Sequence, residues 1–124
     1  MPAPATLSMI TVDTTDTRRL ATWWAERLGG EVAYEYEHWF SIVTVPGWTA
    51  NLGFQHIEAP TPGKNRVHID LSWPLGTYRG QGGAEWVDAG ATHLGLRGDA
   101  EMQWDTFEDP DGNQFCIAHP AEHA

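Results

Sequence analysis

The chain has 124 residues, 41% of them hydrophobic and 19% charged, which is enough apolar material for one compact core and too little chain for separate cofactor and substrate lobes. Its net charge of −10, from 7 basic against 17 acidic residues, repels phosphate backbones and anionic lipid surfaces and argues against nucleic-acid and membrane partners. The single cysteine, Cys116, excludes an internal disulfide; the early residues carry no basic segment followed by an apolar run, and nothing approaches about 18 successive apolar residues, so a cytoplasmic protein is expected.

The first periodic signal is the alternation Met9-Ile10-Thr11-Val12-Asp13, which predicts a half-buried strand with Ile10 and Val12 on one face. Asp16 then offers a capping oxygen, and Leu20, Trp23, Trp24, Arg27 and Leu28 fall at helical spacing until Gly29-Gly30 stops the helix. Trp23 and Trp24 are expected in the core. Strand-like runs follow at 31–36, 39–45 and 50–57, broken at Glu37-His38 and Pro46-Gly47. After a proline-rich connector at 59–65, alternation resumes at 67–73, with Val67, Ile69 and Leu71 expected on the apolar face. A glycine-rich stretch at 74–83, expected as a flap or surface loop, leads to a short helix at 84–89 stopped by Gly90. Further strands are predicted at 92–96, 102–107 and 113–119.

Both halves therefore read β-α-β-β-β, as one domain made of module one at 6–58, a linker at 59–65 and module two at 66–120. The landmarks repeat at a nearly constant offset. Gly29 and Gly90 are 61 residues apart, and the same step carries the turn after Pro46 onto the turn Asp109-Pro110-Asp111-Gly112-Asn113. An offset of 59 places Ile10 and Val12 on Ile69 and Leu71.

Two stretches carry a family likeness. Asp-Thr-Arg-Arg-Leu-Ala-Thr-Trp-Trp-Ala-Glu-Arg-Leu-Gly-Gly, residues 16–30, and the succession Val67-His68-Ile69-Asp70-Leu71, Ala89-Gly90-Ala91 and Asp109-Pro110-Asp111-Gly112-Asn113-Gln114-Phe115 together resemble the vicinal oxygen chelate superfamily, in its glyoxalase-like and bleomycin-resistance-like branch. The resemblance implies an α+β fold in which two βαβββ modules form a cup-shaped mixed sheet, often in a homodimer. In metal-dependent members a divalent metal sits in that cup, held by His and Glu side chains of the first and last strands of the modules.

Strand parity places Met9, Thr11, Asp13, His68, Asp70 and Ser72 opposite the apolar faces, with Gln114, Cys116 and Ala118 likewise. The 61-residue offset pairs Cys116 with Gln55, so Met9, Gln55, His68 and Cys116 should match the family's metal positions. Only His68 suits a hard divalent ion, because a thioether and an amide are poor donors to one. A softer site would use His68, Cys116 and Met9, or His68, Cys116 and His56 if the fourth strand is slipped by one residue. Asp13 and Asp70 are either solvated strand-end carboxylates or ligand contacts. Glu108 is expected at the surface, and the Asp109 to Asn113 segment as a hairpin turn. Of the seven tryptophans, Trp48 and Trp104 are the candidates to wall an apolar pocket, against the alternative that they cover the sheet or a dimer interface.

The first functional expectation is accordingly a small-molecule-binding protein without the usual metal, whose site of Met9, Thr11, Asp13, Gln55, His68, Asp70, Trp48, Trp104 and Cys116 takes a neutral or cationic, partly aromatic compound of the drug or natural-product type. The alternative is a metal-dependent lyase, isomerase or extradiol-dioxygenase-type enzyme using His68. A third reading is a structural or partner-binding dimer.

Overall fold

The computed structural model describes residues 3–74 and 81–119. The chain divides into two compact units, one up to Pro62 and one from Gly63. Unit 1 runs β1 (Met9–Thr14), α1 (Thr17–Leu28), β2 (Glu31–Tyr36), β3 (Phe40–Thr44) and β4 (Asn51–His56); unit 2 runs β5 (Asp70–Ser72), α2 (Gln81–Asp88), β6 (Thr92–Gly98), β7 (Gln103–Glu108) and β8 (Gln114–Ala118). Each unit holds one four-stranded sheet, in the order β1-β4-β3-β2 and β5-β8-β7-β6. In each, the first strand lies parallel to the last and the other pairings are antiparallel. The βαβββ repeat is thus present in topology as well as in sequence.

In unit 1 the helix is set by its ends. The Asp16 carboxylate accepts the N–H of Arg19 at 3.1 Å, and Gly29, at φ 69°, turns the chain out so that Gly30 N–H reaches the Ala25 carbonyl at 2.8 Å. Leu20, Ala21, Trp23, Trp24 and Ala25 are buried along α1, and Val43, Leu52 and Phe54 are the buried hydrophobic residues of β3 and β4. Trp23 and Trp24 meet edge to face with centroids 5.0 Å apart, in the core as expected. In unit 2, Trp73, Trp86, Phe107 and Phe115 form one buried aromatic cluster, with Phe107 and Phe115 stacked at 5.5 Å.

The two sheets correspond row by row. The row Thr11, Gly53, Ile42, Tyr34 of unit 1 has the same pairings as Asp70, Cys116, Thr106, Gly95 of unit 2, and the register shift beside it falls at Val32/Tyr34 in one and His93/Gly95 in the other. The two bulges keep the 61-residue offset and the first strands keep the offset of 59. The last strands do not: the counterpart of Cys116 is Gly53 rather than Gln55, and Gln55 corresponds to Ala118. The hairpins cause this change, since the β2–β3 connection in unit 1 is shorter and its β3–β4 loop longer than the equivalents in unit 2.

Two further expectations are corrected. The strand expected at 67–73 is paired only over Asp70–Ser72, and Val67 is 76% exposed instead of packed inward. The Asn65 side chain is the reason. Its amide group donates to the Gln114 and Val67 carbonyls at 2.9 and 2.8 Å, and its oxygen accepts the Gln114 N–H at 2.7 Å, so it occupies the places on β8 that a longer β5 would use. The second helix begins at Gln81, three residues earlier than predicted, which takes 81–83 out of the supposed loop; residues 75–80 of that stretch lie outside the described residues.

Turn chemistry accounts for two connections. The Asp109 carboxylate accepts the N–H groups of Asp111 and Asn113 at 2.9 and 3.0 Å, while its own N–H reaches the Asn113 carbonyl at 2.9 Å, making the expected turn before β8. Between β6 and β7, the N–H groups of Met102 and Glu101 bond the Asp99 carboxylate at 3.0 and 2.9 Å and hold its carboxyl below the usual range.

Candidate functional site

In unit 1 the pairing register puts Met9, Thr11 and Asp13 of β1, Gly53 and Gln55 of β4, Phe40 and Ile42 of β3, and Tyr34 and Tyr36 of β2 on one face of the sheet. His56 belongs to the opposite face, so the register puts Gln55 on the face of Met9, where it pairs with Asp13, and leaves His56 off that face. Gly53 lets this face close up. A Cβ there would stand 2.7 Å from Met9 Sδ, 2.9 Å from Thr11 Oγ1 and 3.1 Å from Phe40 Cζ. A Gly53→Val variant is expected to lose about 1–3 kcal/mol of stability as these three side chains are forced apart, measured by urea unfolding.

At one end of that face the aromatic side chains are exposed. Tyr34, Tyr36 and Trp39 are 58%, 46% and 51% accessible. Tyr34 and Tyr36 stack at 5.6 Å with planes 16° apart, and Tyr36 contacts Trp39 at 5.7 Å and Phe40 at 6.5 Å. Alternation along β2 points both tyrosines to one side, and the turn after Tyr36, closed by Trp39 N–H on the Tyr36 carbonyl at 3.1 Å, brings Trp39 to them. Three exposed aromatic rings, with half-buried Phe40 against Tyr36, form one contiguous apolar patch. Trp48, one of the two tryptophans expected at a pocket, lies at the far end of β3, in the β3–β4 loop.

In unit 2 the corresponding face carries Asp70 and Ser72 of β5, Gln114, Cys116 and Ala118 of β8, and Trp104, Thr106 and Glu108 of β7. Trp104 and Cys116 are half-buried and Asp70 is exposed. The ligand atoms of His68, Asp70 and Cys116 all lie within 4.8 Å of one another. His68 Nδ1 is 3.3 Å from Asp70 Oδ1, and Cys116 Sγ is 3.6 Å from Thr106 Oγ1. An imidazole, a carboxylate and a thiol gathered so closely fit a borderline divalent ion such as zinc. The corresponding row of unit 1 offers Met9, Thr11 and Gly53, which do not. Glu108 is half-buried on this face rather than fully at the surface.

The other face of this sheet holds a polar group that the sequence reading passed over. Asp105, only 6% exposed, receives His93 Nε2 on Oδ1 at 2.9 Å, His119 Nε2 on Oδ2 at 2.9 Å and the Trp73 indole N–H on Oδ2 at 3.2 Å. One carboxylate thereby ties together β6, β7 and the residues that follow β5 and β8. Its signal in the sequence was parity, because Asp105 alternates with Phe107 and so occupies an apolar-face position.

Comparison with known proteins agrees with this architecture. Residues 9–118 match the family model described as Glyoxalase-like domain. Among solved structures, a glyoxalase-related enzyme from Fulvimarina pelagi superposes with a TM-score of 0.73 at 16% identity, covering 93% of this chain and 88% of that one. A member of the glyoxalase/bleomycin resistance protein/dioxygenase superfamily from Sphaerobacter thermophilus gives 0.70 at 19% identity, over 94% and 98% of the two chains. An antibiotic binding protein from a Streptomyces species gives 0.70 at 16% identity, over 98% and 100%. Curated proteins give no sequence match. Identities this low establish the shared fold, and the family model, which spans nearly the whole chain, establishes the membership: the chain belongs to the glyoxalase-like domain family of the vicinal oxygen chelate superfamily.

Proposed function

We propose that this protein binds a small molecule and that the ligand lies on the aromatic end of the unit 1 sheet. The observation that carries the reading is the exposed cluster of Tyr34, Tyr36 and Trp39, with Phe40 packed edge-on against Tyr36, continuous with Met9, Thr11, Asp13 and Gln55 on the same face. Ring faces of this kind hold planar, partly aromatic compounds, and a net charge of −10 favours neutral or cationic ones. That an antibiotic binding protein shares the fold supports a drug or natural-product ligand. We further propose a cytoplasmic homodimer: the one cysteine of the chain is free, and exposed apolar side chains such as Val67 and Met102 suit a protein surface. Among the described residues no helix is long and apolar enough to cross a membrane.

Titration with a panel of planar aromatic cations, followed by tryptophan fluorescence, tests the proposal. Tyr36→Ala should weaken binding by about tenfold through the loss of one stacking surface. Equal affinity in Tyr36→Ala and the unaltered chain would remove the aromatic face from the account.

The His68, Asp70 and Cys116 cluster favours a second reading, a metal-dependent enzyme of the lyase, isomerase or dioxygenase kind. There these three residues would hold the ion, which would supply Lewis acidity toward substrate oxygens. Glu108, on the same face, would be the candidate carboxylate to move a proton. Substrate turnover that requires added metal and disappears in His68→Ala is its distinguishing sign.

A further inference from the structure

Unit 1 has a second concavity that neither the aromatic face nor the His68 cluster uses. Asp16, Thr17, Arg18, Glu37, His38 and His56 line a cavity of about 480 Å³. The main chain brings the two histidines there. Glu37 adopts φ 52°, the only non-glycine residue with positive φ among those described, and reverses the chain between β2 and β3. The Thr17 hydroxyl then donates to the His38 carbonyl at 3.2 Å, fixing that turn to the start of α1, and His56 N–H donates to the Trp39 carbonyl at 2.8 Å, fixing it to the end of β4. As a result the His38 and His56 rings stand with centroids 6.0 Å apart and planes at 74°.

That spacing approaches a coordination geometry. With metal–nitrogen bonds of about 2.1 Å, two imidazoles on one tetrahedral ion have centroids about 5 Å apart. The His38 side chain is exposed and is free to turn about its own bonds toward His56. A carboxylate is at hand: Glu58 Oε1 lies 3.4 Å from His56 Nε2, and its side chain is 97% exposed and free to swing. Among the described residues that line the cavity, the one Lys or Arg, Arg18, pairs with Glu35 at 3.2 Å, while Asp16 and Glu37 add negative charge. We infer that His38 and His56, with Glu58 as the carboxylate ligand and water completing the shell, bind a borderline divalent transition-metal ion such as zinc. The ion pins the β2–β3 turn to the end of β4, beside the start of α1. This site stands on its own geometry, in the opposite unit from His68, Asp70 and Cys116, and is independent of the ligand proposed for the aromatic face.

The test is a competitive zinc titration of the full chain carrying His68→Ala and Cys116→Ser, which silences the other metal-ligating cluster. One zinc ion should remain bound, and adding His38→Gln or His56→Gln should weaken its affinity by at least about tenfold. No zinc binding in the His68→Ala/Cys116→Ser chain, or zinc affinity unchanged by both glutamine variants, overturns the inference. A second reading uses the unaltered chain, so that it does not depend on any variant folding. The imidazole ring-proton resonances of His38 and His56 should shift together as zinc is added, and a response confined to His68, His93 or His119 would count equally against the site.

Discussion

Replacing Asp105 by alanine is expected to lower the stability of the protein by about 3 kcal/mol. Among the described residues, Asp105 is the only acceptor of the Trp73 indole N–H and the His119 ring, both in buried or nearly buried positions, and the substitution removes it. Each stranded buried donor costs about 1–3 kcal/mol, whereas His93, with a side chain 40% exposed, recovers its bond from water. For a chain of this size the loss corresponds to a fall in Tm of roughly 10–15 °C. Asp105→Asn keeps one carbonyl oxygen but turns an NH2 toward another donor, so it should lose about half as much. Thermal and urea unfolding followed by far-UV circular dichroism measure both variants. An Asp105→Ala protein within about 0.5 kcal/mol of the unaltered chain would mean that the three contacts contribute nothing net, which the burial of the carboxylate does not allow.

Phe107→Ala should be the most damaging single change, costing about 3–5 kcal/mol. The Phe107 ring is fully buried, stacked on Phe115 at 5.5 Å, and touches Trp86, Trp73 and His93 at centroid distances of 6.2, 6.5 and 5.0 Å. Large rigid rings on every side cannot collapse into the space that a benzyl group leaves, so the cavity persists and its cost is added to the lost transfer energy. Phe107→Leu refills most of the volume and should lose less than half as much. If alanine and leucine prove equally mild in urea unfolding, the aromatic cluster is not the close-packed core described for unit 2.

The fold was legible because its signals are local and periodic. Ile10 and Val12 alternate, Leu20, Trp23 and Trp24 recur at helical spacing, and Gly29 and Gly90 stop their helices, so each element declares itself within a few residues. The repeat was legible for the same reason. Exact register was not: hairpins of unequal length moved the counterpart of Cys116 from Gln55 to Gly53, and a constant offset cannot register a length change inside a turn. The early end of β5 was hidden as well, because the competitor for its partner strand is the side chain of Asn65, 49 residues from Gln114. Long-range polar contacts were the least visible. Asp105 meets its partners 12, 14 and 32 residues away in sequence, and no short motif joins them. The tyrosines of β2 could be seen to share a face, but alternation alone does not say whether that face is covered. Their exposure is what moves the proposed aromatic ligand surface from Trp48 and Trp104 to Tyr34, Tyr36 and Trp39, with Phe40 beside them.

Binding of an organic ligand on the aromatic face of unit 1 is tested by amide and side-chain NMR of the labelled protein during titration with a planar aromatic cation such as proflavine. Saturable shifts are expected, centred on Tyr34, Tyr36, Trp39 and Phe40 and extending to Gly53 and Gln55, with no metal added. Shifts confined to His68, Asp70, Trp104 and Cys116, or none with any planar aromatic cation of the panel, would contradict it.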